Sequence, residues 1–333
     1  MKKNVSLSII IPIYNAEKYI QPCLESIYNQ DLQESEFEVI LINDGSTDNT
    51  SAIIHDFSTK HTNINIINQK NQGLSITRNN GIEKAVGEYI LFIDSDDLLI
   101  ENSIRPMLHL AINNSLDILM SKVATIDDTD VQKGKIPHYS QIKSISEVMT
   151  GKEGFLLYYN SDESYVFKNL FKRSFLKQEK LIFIENVYFE DVAFTIHSYI
   201  KAKRFMAIDC IHYIYRRNDT SIMSTMNIKK LKDMNTIIEY LIQLKTESLL
   251  SVDEKNKLTK CIFACFSVVL WYLSHYTSLY PQRKDVFVDL KKKCPNLSFN
   301  ANMKQRITTF VYKYMPSTYI TFRYLTAKRK YNQ

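Results

Sequence analysis

The 333-residue sequence predicts an α/β protein: a mostly parallel β-sheet with helices on both faces, followed by a mainly helical C-terminal region. Three observations carry this. Short apolar runs alternate with helix-period stretches through the first 125 residues. Those runs lack polar alternation, as expected of strands covered on both faces in a parallel sheet packed by helices. From about residue 150 onward the spacing turns largely to the helical period.

In order, "LSIIIPI" (7–13) reads as a buried strand, and residues 16–30 as a helix with Ile20, Leu24 and Ile27 on one face. "FEVILIN" (37–43) is a second strand, "TSAIIHDFSTK" (50–60) a helix, and "INIIN" (64–68) a third strand. A helix over 74–86 stops before Gly87, and "YILFI" (89–93) is the fourth strand. "LDILMSKVATI" (116–126) adds another, and 127–146 is a polar excursion. Helices are expected at 151–160, 188–202, 228–248, 254–275, 282–293 and 303–315, with a strand pair near 204–216. This divides the chain into domains at 1–222 and 223–333.

Composition bounds the function. At 45% hydrophobic, the chain can bury a large core, and seven Gly and seven Pro leave no sign of a long flexible linker. The five cysteines (Cys23, Cys210, Cys261, Cys265, Cys294) form no C-x-x-C pair, which argues against a zinc ribbon or disulfide scaffold and fits a reducing compartment. The N-terminal apolar run is too short for a signal peptide. The most apolar stretch, 261–280, has a strictly apolar part of roughly twelve residues where spanning needs about 20, so a buried helix is expected there. The expected location is cytoplasmic. Net charge is +6, yet 301–333 alone holds seven Lys/Arg and no acid.

Polar clusters follow the strands. Tyr14 and Asn15 follow the first, Asp44, Gly45 and Ser46 the second, and Asp94, Ser95, Asp96 and Asp97 the fourth. Ligands of open α/β sheets bind beyond the carboxyl ends of the strands, so three such clusters point to one site. Neither G-x-x-x-x-G-K-[ST] nor G-x-G-x-x-G occurs, which disfavours a P-loop and a dinucleotide fold. An EF-hand beginning at Asp94 would place Leu99 at its sixth position and Arg105 at its twelfth. What remains is a hard-cation site of one or two carboxylates, completed by water and substrate phosphates, as magnesium or manganese binds with nucleotides. The competing reading makes these acids caps of the next helix. Asp44 is as compatible with a plain turn as with a ligand contact. Lys70, Gly73 and Arg78 in "NQKNQGLSITRNNGI" add cationic groups and a close-approach glycine, although Arg78 by itself could lie on a solvated face. Glu190 and Asp191 open an apolar helix, a placement the helix dipole favours and one that equally suits a general base.

Together, "SIIIPIYN", "VILINDGSTDNT", "KNQGLSITRNNGI", "GEYILFIDSDD" and "FEDVAF" resemble glycosyltransferase family 2, closely over residues 5–100 and more loosely over 165–222. The resemblance implies the Rossmann-like A-type glycosyltransferase fold and inverting, metal-dependent transfer from a UDP-sugar, with Mn2+ or Mg2+. By resemblance, Pro12, Tyr14 and Asn15 line the nucleotide pocket and Asp44 and Arg78 contact the uracil, with Lys70 beside them. Asp94 and Asp96 match the D-x-D motif, Asp94 near the ribose and Asp96 on the metal, both counted as metal ligands. Asp97 is expected to be no more than a helix cap. Asp191 matches the catalytic base, with Glu190 its neighbour, and Arg216 and Ser221 in "YRRNDTSIM" match a diphosphate-closing loop. Phe167, Lys168 and Asn169 depart from the family's usual Trp-Asn-Lys, leaving the role of Lys168 open.

The implied acceptor is a glycan or a lipid-linked glycan of bacterial surface polysaccharide assembly. Basic and aromatic residues in 301–333 suit peripheral contact with anionic lipid at the inner face of the plasma membrane. A core helix followed by a disordered basic tail is the alternative, and no nucleic-acid module accompanies the basic run. Two rival functions are a non-catalytic nucleotide-sugar or glycan-binding module on the same fold, and a nucleotidyltransferase, which would release pyrophosphate rather than UDP.

Overall fold

A computed structural model describes residues 5–137, 142–218, 226–275 and 282–299, with 279, 306 and 309 in addition. Ser221 and nearly all of 301–333 lie outside the described residues. The chain forms two compact units, one of residues 1–186 and 194–221 and one of residues 187–193 and 222–333.

The first unit is built on eight strands: β1 (Leu7–Ile13), β2 (Phe37–Asn43), β3 (Ile64–Asn68), β4 (Tyr89–Phe92), β5 (Leu98–Leu99), β6 (Ile118–Asp127), β7 (Asn169–Lys172) and β8 (Phe205–Arg217). Their order is β3-β2-β1-β4-β7-β6-β8-β5. β1 to β4 pair in parallel, and every residue of β1 and β4 is buried, as their uninterrupted apolar runs require. Beyond β4 the sheet is mixed. β7, which the apolar pattern does not reveal, runs antiparallel to both β4 and β6. The short β5 is antiparallel to β8.

The helices of this unit are α1 (Ile20–Tyr28), α2 (Thr50–Ser58), α3 (Leu74–Lys84), α4 (Ile104–Asn113), α5 (Asp128–Gln132), α6 (Gly151–Tyr158), α7 (Arg173–Gln178) and most of α8 (Glu190–Lys201). Ile20, Leu24 and Ile27 are buried along α1, the stripe their spacing predicts. The strand pair expected near 204–216 is instead the single strand β8. Its parallel register with β6 shifts between Met120↔Ala207 and Lys122↔Ile211, so the polar break at Asp209 is an irregularity within one strand.

In the second unit α9 (Ile228–Glu247) packs against α10 (Val252–His275) and α11 (Arg283–Lys293). Asn235 of α9 donates to the Val286 carbonyl (3.0 Å) and to Asp289 (2.9 Å) of α11. By length and composition α10 passes as a candidate membrane span over Val252–Leu273. Its buried residues Leu258, Cys261, Ile262, Cys265, Phe266, Val269 and Leu273 recur at three- and four-residue intervals, the pattern of a helix with one face in the unit's core.

Within the sheet, His212 of β8 is fully buried, with Nδ1 2.7 Å from Ser121 Oγ and Nε2 3.1 Å from the Phe167 carbonyl. A carbonyl only accepts, so Nε2 carries a proton, and the Ser121 hydroxyl lies between Nδ1 and the Lys168 carbonyl, 3.1 Å from the latter. Burial lowers the pKa from 6.5 to about 4. Between those values the unfolded chain binds a proton that the folded chain refuses, so stability falls as pH drops through this window. The loss is about 3 kcal/mol for this group at the acid end. Urea midpoints from pH 7 to 4 should show this acid dependence, and a His212→Gln variant should lose that part of it. An unchanged slope contradicts the assignment.

Candidate active site

Three loops at the carboxyl ends of β1, β2 and β4 converge. After β1, Tyr14 is half exposed and Asn15 adopts a left-handed conformation (φ 49°), which Asn tolerates better than most residues. The Asn15 N–H donates to Ser46 Oγ (3.0 Å), and its side-chain oxygen accepts from the Thr47 N–H (2.8 Å). The loops after β1 and β2 are thus fastened to one another. Pro12 lies buried in β1, paired with Ile42 of β2.

Asp44, directly after β2, is almost fully buried. One carboxylate oxygen accepts from Gln69 Nε2 and the Gln72 N–H, and the other from the Gly73 N–H, each at 2.8 Å. Asp44 therefore orders the loop that carries Lys70, itself exposed, into the start of α3. Gly73 takes φ 86°, accessible to glycine at little strain.

Arg78 does not lie on a solvated face. α3 buries Ser75, Thr77, Arg78, Gly81 and Ile82. The Arg78 guanidinium is 3% exposed, bonds Asp94 Oδ1 at 2.6 Å and lies 5.4 Å from the centre of the Phe183 ring. Arg78 is buried and Asp94 is not, so removing Asp94 would leave the guanidinium as an uncompensated buried charge.

The acidic turn after β4 does not cap a helix. β5 follows it, and the next helix, α4, begins at Ile104. Asp97, expected only as a cap, is fully buried. It accepts from the Tyr213 hydroxyl (2.7 Å) and from the Arg216 N–H (2.7 Å), both on β8. The Tyr213 hydroxyl in turn accepts from the Asp94 N–H (3.1 Å). Asp96 Oδ2 accepts from Asn218 Nδ2 (3.0 Å). Desolvation first, and Asp94 second, push the Asp96 carboxyl above its ordinary range. Asp97 is pushed well above its range by desolvation and then by Asp96 and Asp94.

Arg216 is 5% exposed, with its guanidinium 5.3 Å from the centre of the Tyr19 ring and 3.5 Å from Asp128. Asp128 opens α5, so the start of the polar excursion reaches this site. Asp94 is paired with the Arg78 guanidinium and Asp128 with that of Arg216, while Asp96 and Asp97 add two further acids, so acids outnumber guanidinium groups here and the turn suits a cation. Among the described residues no group of three or more His, Cys, Asp or Glu is arranged to hold a metal unaided. One or two carboxylates with phosphate and water completing the shell is the habit of magnesium.

Glu190 and Asp191 occupy the first turn of α8, just after Phe189, which holds φ 65°. Glu190 is buried and Asp191 half-buried. Asp191 is close enough to Cys265 of α10 to help raise that thiol's pKa, after burial and Cys261. The Tyr188 N–H donates to Asp233 of α9 (3.1 Å), which fixes the approach to this turn. Lys168 is buried, with Nζ near the Glu163 carbonyl (3.3 Å) and carboxylate (3.4 Å). Sequence reasoning gave Asp97 only the part of a cap and missed Tyr213, Asn218 and Asp128. Only the extra acid behind "DSD" and the position of Asn218 within "YRRNDTSIM" hinted at any of them.

A carboxylate turn and buried arginines at the carboxyl ends of the parallel strands β1, β2 and β4 stand where open α/β sheets bind their ligands. The Glycosyl transferase family 2 model matches residues 8–179, and the chain belongs to that family. It is 33% identical over 221 residues to the uncharacterized glycosyltransferase EpsJ of Bacillus subtilis, covering 65% of this chain and 62% of that one. It is 31% identical over 224 residues to the poly(ribitol-phosphate) beta-glucosyltransferase of Bacillus spizizenii, covering 66% of this chain and 34% of that one. The match therefore spans less than two thirds of either relative. Among solved structures, S. aureus TarS 1-349 in complex with UDP-GlcNAc superposes with a TM-score of 0.72 at 22% identity, over 99% of this chain and 92% of that one. That likeness establishes the fold.

Proposed function

We propose that the chain is an inverting hexosyl- or N-acetylhexosaminyl-transferase. It moves a sugar from a UDP-sugar to a glycan or lipid-linked acceptor in surface polysaccharide synthesis, and depends on Mn2+ or Mg2+. The observation that carries this is the gathering at the strand ends of Asp94, paired with Arg78, and Asp96, within electrostatic reach of Arg216. Related proteins named for poly(ribitol-phosphate) glucosyl transfer, and a similar fold solved with UDP-GlcNAc, support the donor and acceptor classes. A similar fold solved with GDP-Man and Mn2+ supports the metal.

The nucleotide would lie along Pro12, Tyr14, Asn15, Asp44, Lys70 and Arg78, and the diphosphate beside Asp96 and Arg216, with Ser221 further along the chain. Arg78 already holds Asp94 Oδ1, so Asp96 is the principal carboxylate for the cation and Asp94 the secondary one. When bound there, the cation supplies neutralising charge for the departing UDP. Asp191 would take the proton of the acceptor hydroxyl as its oxygen attacks the anomeric carbon, and Glu190 would steady it. One base and no carboxylate nucleophile gives a single displacement, hence inversion. The enzyme would work in the cytoplasm, with 301–333 against anionic lipid.

UDP-sugars with manganese should raise the melting temperature, since a ligand that binds only the folded state stabilises it. EDTA should remove most of that rise. No rise with any UDP-sugar, with or without metal, would overturn the donor assignment.

A further inference from the structure

We propose that Asp97 and Tyr213 are a positioning pair that holds the Asp94–Asp96 turn and the Arg216 segment of β8 in one register, so that cation and diphosphate meet a preformed site. The proposal rests on the UDP-sugar reading above and adds two residues to it.

A fully buried carboxylate is costly unless each oxygen is occupied, and an ordinary turn does not require one. Asp97 directs its two oxygens to two different parts of β8, the side chain of Tyr213 and the backbone of Arg216. The Tyr213 hydroxyl is used twice: it donates to Asp97 and accepts from the Asp94 N–H. Its ring is fixed face to face on Phe167, with centroids 4.1 Å apart and planes 4° from parallel, so the hydroxyl has little freedom to turn away. The Asp97 N–H also closes the turn onto the Asp94 carbonyl (3.1 Å). On the other strand, Leu98 and Leu99 pair with Ile214 and Tyr213, and Asn218 reaches Asp96. Residues 213 and 216 thus both hold Asp97, residue 213 also takes the Asp94 N–H, and residue 218 holds Asp96, with Asp97 and Tyr213 as the two central links. Displacing the turn by an ångström would separate Asp96 from Arg216, and electrostatic sites lose much of their effect at that scale.

The test is calorimetric titration of UDP into the full chain, with and without manganese, for wild type, Tyr213→Phe and Asp97→Asn. Tyr213→Phe keeps the ring stack and removes only the shared hydroxyl. Wild type should bind UDP more tightly with manganese. In Tyr213→Phe that metal-dependent gain should shrink at least tenfold, with metal-free affinity changed less than threefold. Asp97→Asn should lose the gain as well, and amide exchange at residues 94–97 should accelerate in both variants. A merely structural role would lower the melting temperature of folded protein while leaving the metal-dependent gain intact, which overturns the pair. Wild type that fails to bind UDP under either condition overturns the donor reading itself, and the pair with it. If Asp97→Asn does not fold, Tyr213→Phe alone decides.

Discussion

Asp191→Asn should reduce sugar transfer by about 10²–10⁴-fold, the range a positioned general base supplies, while UDP-sugar affinity stays within about threefold of wild type. Asn has nearly the same shape as Asp and cannot take a proton at neutral pH. The substitution therefore separates proton removal from packing in the first turn of α8. Donor binding is assigned to other residues, so it should survive. Parallel measurements of transfer and of UDP-sugar binding decide the matter. Transfer within tenfold of wild type, with binding intact, would remove Asp191 from the base role. Glu190→Gln should cost less, since Glu190 is buried and assigned only a supporting part.

The second large effect is expected at Asp96. Asp96→Asn keeps an oxygen that can accept from Asn218 and removes the charge offered to the cation. Its kcat/KM should fall by about 10²–10³-fold, comparable to the loss of one group that stabilises transition-state charge. The midpoint for manganese activation should move to higher concentration. Folding should not suffer, because the carboxyl is already disfavoured as an anion by desolvation and by Asp94. Thermal melting without ligand is the control: Asp96→Asn should melt at or above the wild-type temperature. A variant that melts normally yet keeps full activity and an unshifted manganese midpoint would place the cation elsewhere.

The two substitutions interrogate different parts of the chain, and the sequence made those parts unequally legible. β1, β2 and β4 announced themselves as unbroken apolar runs because both of their faces are covered. The polar clusters at their ends were visible because the apolar runs stop abruptly where the strands do. β7 was hidden because four residues, "NLFK", are too few to display a period. Its place between β4 and β6 is decided by tertiary pairing rather than by local preference. β8 read as two strands because Asp209 interrupts it, whereas the irregular register against β6 absorbs the interruption.

Among the site residues, Arg78 was ambiguous because α3 has no apolar stripe. It buries serine, threonine and arginine against the site, a face that periodicity cannot flag. Asp97 was misread as a helix cap because its partners Tyr213 and Arg216 stand more than a hundred residues away. No local rule connects an acid after β4 with a tyrosine in β8. Asp128 was missed for a similar reason, being one acid at the start of a polar excursion until Arg216 is placed against it.

The measurement that bears most directly on the central claim is proton NMR of the product formed from a UDP-sugar, manganese and a soluble glycan acceptor. Single displacement with Asp191 as base predicts release of UDP together with a new glycoside whose anomeric configuration is opposite to that of the donor. Release of pyrophosphate, a product that retains the donor's configuration, or no glycoside with any UDP-sugar and acceptor tried would contradict it.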